Sequence, residues 1–263
     1  MKVALTIAGT DSGGGAGVIA DLKTFEAHGV WGTAAVVAVT AQNTLGVHAV
    51  QTIAPETVRA QIEAVVSDIG VDAAKTGMLA TAELVNAVAG LTPRPLVVDP
   101  VFVSKHGDTL LVDDAVEALR IELLPRATVV TPNLPEAGVL TGMEITDRAG
   151  MLAAAHELLL LGPQVVMVKG GHLPEDEDCV DLVLTGDAEP LWLEGMRIRA
   201  RHTHGTGCVL SAAITAELAR GMEPVDACVA AKRFVEKAIA AGVDLGGGIG
   251  PVNPGWERDV RPG

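Results

Sequence analysis

Short apolar runs alternate along this chain with longer segments of helical periodicity. Val3-Ala4-Leu5-Thr6-Ile7-Ala8 reads as a buried strand, and residues 33–40 read as a second. Further short apolar strands are predicted at 96–98, 128–130 and 165–168. Between and after them the pattern predicts helices over 15–28, near 81–89, 114–123, 148–161, 206–220 and 224–241. Another runs from Pro55 to about Ile69, where a proline suits the first helical turn. This unbroken strand–helix order, with strands apolar on both faces, predicts a mainly parallel sheet with helices on both faces. Residues 178–200 alternate like a β-meander and predict antiparallel edge strands. Neither repeats nor a linker interrupt the pattern, so residues 1–263 are expected to form a single domain. The acidic stretch Pro174–Asp178 is expected as a solvated loop, and Gly246–Gly250 as a flexible one.

Composition narrows the function. The 263 residues are 49% hydrophobic and 20% charged, enough to bury a full core. With a formal charge of −14, three Phe, three Trp and no Tyr, the chain lacks the basic patches and stacking rings of a nucleic-acid binder. An anionic substrate would need a local positive site, including a metal ion. Three cysteines without paired spacing and no leader-like start at Met1 point to a reducing cytoplasm. No apolar run reaches the roughly 18 residues that a membrane span requires.

Candidate chemistry gathers at the ends of the predicted strands, where open α/β sheets bind ligands. The most informative segment is His204-Gly205-Thr206-Gly207-Cys208, directly before a helix. Glycines at that junction leave N–H groups at the positive end of a helix dipole, a ready anion cradle. The same dipole is expected to favour thiolate at Cys208, whose alternative role is that of a buried small hydrophobe. His202, His204 and Cys208 lack the second pair of a structural zinc site. Gly9 to Gly17 forms a glycine-rich turn flanked by Asp11 and Asp21, suited either to tight packing or to close approach of a flat ligand. Gln42 can read the donor–acceptor edge of a ring or satisfy nearby backbone. Met78 can pack against a ring or simply fill core. Asp99, Asn133 and Glu136 offer oxygen ligands for Mg²⁺, although Asn133 and Glu136 also have the spacing of a helix-capping pair. Lys169 can neutralise phosphate or be a solvated strand-end lysine.

Taken together, these segments resemble the hydroxymethylpyrimidine/phosphomethylpyrimidine kinases of thiamine biosynthesis, within the ribokinase-like superfamily. The resemblance runs from Ala4–Gly17 and Ala20–Phe25 through Ala41–Val47, Lys75–Leu79 and Val98–Val101. It continues through Thr131–Ala137 and Val168–His172 to His204–Cys208. It implies a three-layer α/β/α fold, usually in a homodimer, that uses ATP and Mg²⁺. It implies that Asp21, Gln42, Met78 and Val101 bind the pyrimidine, and that Lys169 and Asn133 serve the ATP phosphates. Asp99 and Glu136 would place the metal, and Gly205, Thr206 and Gly207 would form an anion hole. Cys208 would stand where related sugar kinases carry a catalytic Asp. Phe102, His106 and Pro254 depart from the family's commoner Met, small residue and His. The expected reaction is two successive ATP-dependent phosphorylations of 4-amino-5-hydroxymethyl-2-methylpyrimidine, first to the monophosphate and then to the diphosphate. The alternatives are a pyridoxal or pyridoxine kinase on the same scaffold and a pyrimidine-binding sensor without catalysis.

Overall fold

Strand residues of alternate parity face opposite sides of a sheet, and here each parity meets its own set of helices. The computed structural model describes residues 1–102, 113–171, 173, 178–186, 188–198 and 200–259. Its strands are β1 (Val3–Gly9), β2 (Trp31–Asn43), β3 (Gly46–Thr52), β4 (Ala73–Thr76) and β5 (Leu96–Val98), followed by β6 (Val129–Val130), β7 (Val165–Lys169), β8 (Asp178–Thr185) and β9 (Leu191–Met196). They form one sheet in the order β3-β2-β1-β4-β5-β6-β7-β8-β9. The centre is parallel, and the β2–β3, β7–β8 and β8–β9 pairs are antiparallel.

On one face, Leu5, Ile7, Val98, Val166 and Val168 pack under α2 (Pro55–Ala64), α3 (Ala82–Ala89), α4 (Asp113–Ala118), α5 (Leu134–Thr141) and α6 (Arg148–Leu160). On the other, Ala4, Ala73, Val97, Val129, Val165 and Met167 pack under α1 (Gly17–Ala27), α7 (Thr206–Ala219) and α8 (Pro224–Ala240). A short α9 (Trp256–Asp259) follows. The result is the expected three-layer α/β/α architecture. Every residue of α7 from Val209 to Ala219 is buried, as befits a helix that is apolar nearly all round. It lies against α1 and α8 over β1, β4 and β5. Among the described residues no helix is long and apolar enough to cross a membrane.

Two strands lie outside the predicted pattern. β4 is the tetrapeptide Ala-Ala-Lys-Thr, whose lysine breaks the apolar run although all four residues are buried. β3 is exposed or half-buried throughout and is held by its hairpin to β2, which extends to Asn43 rather than stopping at 40. The glycine segment 246–250, expected as a flexible loop, is tied to the β2–β3 turn: Ile249 N–H donates to the Thr44 carbonyl at 3.0 Å and Gly248 N–H to Thr44 Oγ1 at 3.2 Å. The loop thereby closes on the β2–β3 turn. His106, His172 and residues 174–177 of the acidic stretch lie outside the described residues.

Candidate active site

The parity that buries α1, α7 and α8 turns polar where the parallel strands end. Ala4 is followed two residues later by Thr6, Ala73 by Lys75, Val97 by Asp99, Val129 by Thr131 and Met167 by Lys169. Thr6, Lys75, Asp99 and Thr131 are almost wholly buried. This polar row lies beneath the N-terminus of α7 and is bonded to it and to α1. Asp21 on α1 accepts from Lys75 Nζ at 2.7 Å and from Thr6 Oγ1 at 2.6 Å. Asp99 accepts from Ser211 Oγ on α7 at 3.0 Å, from Thr131 Oγ1 at 3.2 Å and from Lys169 Nζ at 3.3 Å.

Above the row lies a cavity of about 810 Å³. Every residue to which the resemblance gives a site role lines it: Asp21, Gln42, Met78, Asp99, Val101, Asn133, Glu136, Lys169, Gly205, Thr206, Gly207 and Cys208. The contacts order its wall. Gln42 lies near His204, with the two Nε2 atoms 3.4 Å apart. Cys208 Sγ accepts from Gly17 N–H at 3.4 Å. Gly207 comes so close to Lys169 that a Cβ there would stand 3.4 Å from its Nζ. Beyond Lys169 the cavity continues past Cys179, Val235 and Ile239.

Helix α7 begins without a side-chain cap on Gly205, whose φ is +81°. That backbone conformation strains any residue with a Cβ, and a Cβ here would also strike the Gly15 carbonyl. Thr206 N–H turns back to the Thr203 carbonyl at 3.4 Å, and Val209 N–H bonds the Gly205 carbonyl. Among the described residues this leaves the Gly207 and Cys208 N–H groups at the helix mouth, where the dipole favours an anion.

The charges in the wall are unequal in kind. Burial alone would raise the pKa of Asp99, but Lys169, Lys75 and Ser211 outweigh it and hold the carboxyl below its usual value. Burial likewise works against a charged Lys169, yet Asp99 and Glu136 keep it above the ordinary lysine range. Glu136 is pushed up to about 7 by burial, with Lys169 opposing and Asp99 adding to the rise. One ammonium thus faces two carboxyls, and Asp99 takes its charge, which leaves Glu136 as the surplus acid. Two carboxyls, one only partly ionised, suit a divalent cation that takes one or two carboxylates and fills its remaining positions with water and phosphate oxygens. The capping pair is also real. Asn133 Oδ1 accepts from Glu136 N–H at 2.8 Å, and Glu136 Oε2 accepts from Asn133 N–H at 2.7 Å. Cap and site therefore share the same two residues.

The surroundings of Cys208 run against the expected thiolate. Burial pushes this thiol up to about 12; the Lys75 ammonium opposes that rise, and the Asp21 and Asp99 carboxylates add to it. Loss of solvent around the sulfur is the largest influence on it, and that influence favours the thiol.

Sequence reasoning missed Lys75, Thr131 and Ser211 as members of the site and gave His204 and Asp11 no function. Lys75 would carry a signal only once β4 is known to be a buried strand, where an inward lysine needs an acidic partner. Ser211 carried none, because one serine in an apolar helix is common.

A family model described as phosphomethylpyrimidine kinase matches residues 11–253. A hydroxymethylpyrimidine/phosphomethylpyrimidine kinase from Streptomyces coelicolor is 53% identical, over 96% of this chain and 94% of that protein. Among solved structures, a Bacillus subtilis pyridoxal kinase in complex with ADP superposes with a TM-score of 0.90 at 40% identity, over 98% of this chain and 99% of the other. A phosphomethylpyrimidine kinase from Clostridium difficile superposes with a TM-score of 0.79 at 41% identity, over 91% of this chain and 100% of the other. Through the length of its match to that family model and its identity to the Streptomyces protein, the chain belongs to the phosphomethylpyrimidine kinase family.

Proposed function

We propose that this protein transfers the γ-phosphoryl group of ATP to the hydroxymethyl group of 4-amino-5-hydroxymethyl-2-methylpyrimidine, and then phosphorylates the monophosphate to the diphosphate. The observation that carries this reading is the uncapped N-terminus of α7 set against Lys169, in one cavity with Gln42 and Met78. The family membership and the similarity to an ADP-bound kinase support it.

In this reading Gln42 reads the polar edge of the pyrimidine, with Met78 and Val101 against the ring and Asp21 beneath it. The Gly205–Cys208 turn receives the phosphoryl group in flight, and Lys169 and Asn133 hold the phosphates of the nucleotide. The nucleoside lies past Lys169 in the part of the cavity walled by Val235 and Ile239. Asp99 and Glu136 would hold Mg²⁺, which when bound supplies neutralising charge to the phosphate oxygens. Phosphoryl transfer asks mainly for in-line positioning and charge neutralisation, and this wall provides N–H donors and an ammonium for both. The thiol form of Cys208 makes it a neighbour of the transfer rather than a ready base, and the hydroxyl proton is lost to solvent as the new phosphate ester forms and ADP leaves. We further propose that residues 1–263 act as one kinase unit that pairs into a homodimer in the cytoplasm.

The test is incubation with ATP, Mg²⁺ and the pyrimidine alcohol, with mass detection of both phosphorylated products. A second reading, pyridoxal kinase, is favoured by the similarity to the pyridoxal kinase structure. Pyridoxal is therefore assayed in parallel, and turnover of pyridoxal alone would replace the pyrimidine reading.

A further inference from the structure

Two glycine-rich segments, one after β1 and one before α7, interlock around a single side chain. His204 is almost fully buried, and its Nε2 lies 2.8 Å from Asp11 Oδ2. Asp11 is in turn the organiser of the first segment. Its carboxylate accepts from the N–H groups of Gly13 at 2.8 Å, Gly15 at 3.1 Å and Ala16 at 2.9 Å. The His204 ring sits so tightly on that segment that a Cβ at Gly15 would come 2.7 Å from its Cδ2. The same Nε2 lies 3.4 Å from Gln42 Nε2, and Gln42 is tied to the Asp11 turn through its backbone: its N–H donates to Ser12 Oγ at 2.8 Å, and Ser12 Oγ donates to its carbonyl at 2.8 Å. The backbone of His204 is pinned as well: the N–H donates to the Gly250 carbonyl at 3.1 Å, and the carbonyl accepts from Val252 N–H at 3.0 Å. The next residue along the chain is Gly205, the start of the anion cradle.

We propose that His204 is a positioning residue that fixes the Asp11-organised turn, and with it the ring-reading Gln42 bonded to Ser12 of that turn, in register with the phosphate cradle at the start of α7. This inference rests on the kinase reading above. Physically, the imidazole donates Nε2–H to Asp11, so one rigid ring spans the two segments and sets the distance between bound ring and bound phosphate. A displacement of about 1 Å between reacting groups costs on the order of 10²-fold in rate. Loss of the bridge therefore lowers kcat while each ligand keeps most of its own contacts.

The experiment compares wild type, His204→Ala, His204→Gln, Asp11→Asn and the His204→Ala/Asp11→Asn double variant for kcat, for both KM values and for pyrimidine affinity by calorimetry. Thermal melts confirm that each variant is folded at the assay temperature. The expected result is a fall in kcat on the order of 10²-fold for His204→Ala, with pyrimidine affinity within a few-fold of wild type. His204→Gln, whose amide nitrogen can occupy the place of Nε2, should recover most of that loss. Asp11→Asn combined with His204→Ala should cost no more than the worse single change, because both cut the same bridge. Unchanged kcat in His204→Ala would overturn the proposal, as would additive losses, or a loss confined to melting temperature that glutamine does not repair. A wild type that phosphorylates neither pyrimidine alcohol nor pyridoxal would overturn the kinase reading itself, and the bridge proposal with it.

Discussion

Replacing Lys75 by Met offers a demanding test of how the polar row is held together. Lys75 Nζ and Asp21 Oδ1 are 2.7 Å apart, and both side chains are fully buried. Met fills the same stem volume but strands the Asp21 carboxylate with Thr6 as its remaining donor. Breaking a buried pair by removing one partner typically costs about 3–5 kcal/mol. At about 2–4 °C per kcal/mol for chains of this size, the melting temperature should fall by roughly 6–20 °C. The loss should also depend on pH, with a definite sign. Burial already raises the pKa of Asp21 above its ordinary value, against the pull of Lys75 and Thr6, and without Lys75 the rise is larger. A carboxyl raised in the folded state contributes stability that is present below its unfolded pKa and is lost as pH rises through the folded one. The variant should therefore lose more relative to wild type at pH 8 than at pH 5. Adding Asp21→Asn removes the stranded charge while keeping a partner for Thr6, so the double variant should regain much of the stability at pH 8. Urea denaturation of the wild type, the single variant and the double variant at both pH values measures all of this. A single-variant loss below about 1 kcal/mol at pH 8, the level of a surface pair, would show that Lys75 and Asp21 do not depend on each other in the core. So would a double variant no more stable than the single one.

Other outcomes follow from the same geometry. Gly205→Ala forces a Cβ into the Gly15 carbonyl at a φ of +81°, and kcat should fall by at least about 10²-fold, the scale of losing one oxyanion donor. Lys169→Met should lower kcat by about 10²–10³-fold and raise the KM for ATP, as steady-state kinetics with varied ATP would show; an unchanged KM would remove Lys169 from the nucleotide site. Asn133→Ala should cost about 1 kcal/mol in urea denaturation through loss of the cap on α5, whatever it does to catalysis. With its thiol held near 12, Cys208 should be thiolate in only about one molecule in 10⁵ at pH 7. Its alkylation in the ligand-free protein, followed by peptide mass, should be slow and still rising at pH 10. A plateau below pH 9 would contradict that environment.

The sheet and most helices were legible because their signals are local: apolar runs for β1, β5 and β7, and strong periodicity or a starting proline for α2 and α8. β4 was not, because its lysine looks like a surface residue until Asp21, 54 positions away in sequence, is brought to it. β3 was not, because it buries little and owes its order to the hairpin with β2. The site residues found from the sequence were those that glycines, a strand-end amide or a helix-start acid marked out. Ser211, Thr131 and the His204–Asp11 contact depend on tertiary juxtaposition. For Cys208 the sequence shows placement at a helix end but not the Asp21 and Asp99 carboxylates that the fold gathers near its sulfur.

The i, i+2 placement of the polar row has a consequence for how the chain can be monitored as it folds. Strand parity is binary, so a one-residue slip in β4 or β7 would turn Lys75 or Lys169 toward the opposite, largely apolar layer. The same error would unseat the site and bury an ammonium among Val and Leu side chains. Misregistered molecules should therefore be both inactive and unstable, and regained turnover after dilution from denaturant should report the fraction of chains whose central strands have found their native pairing.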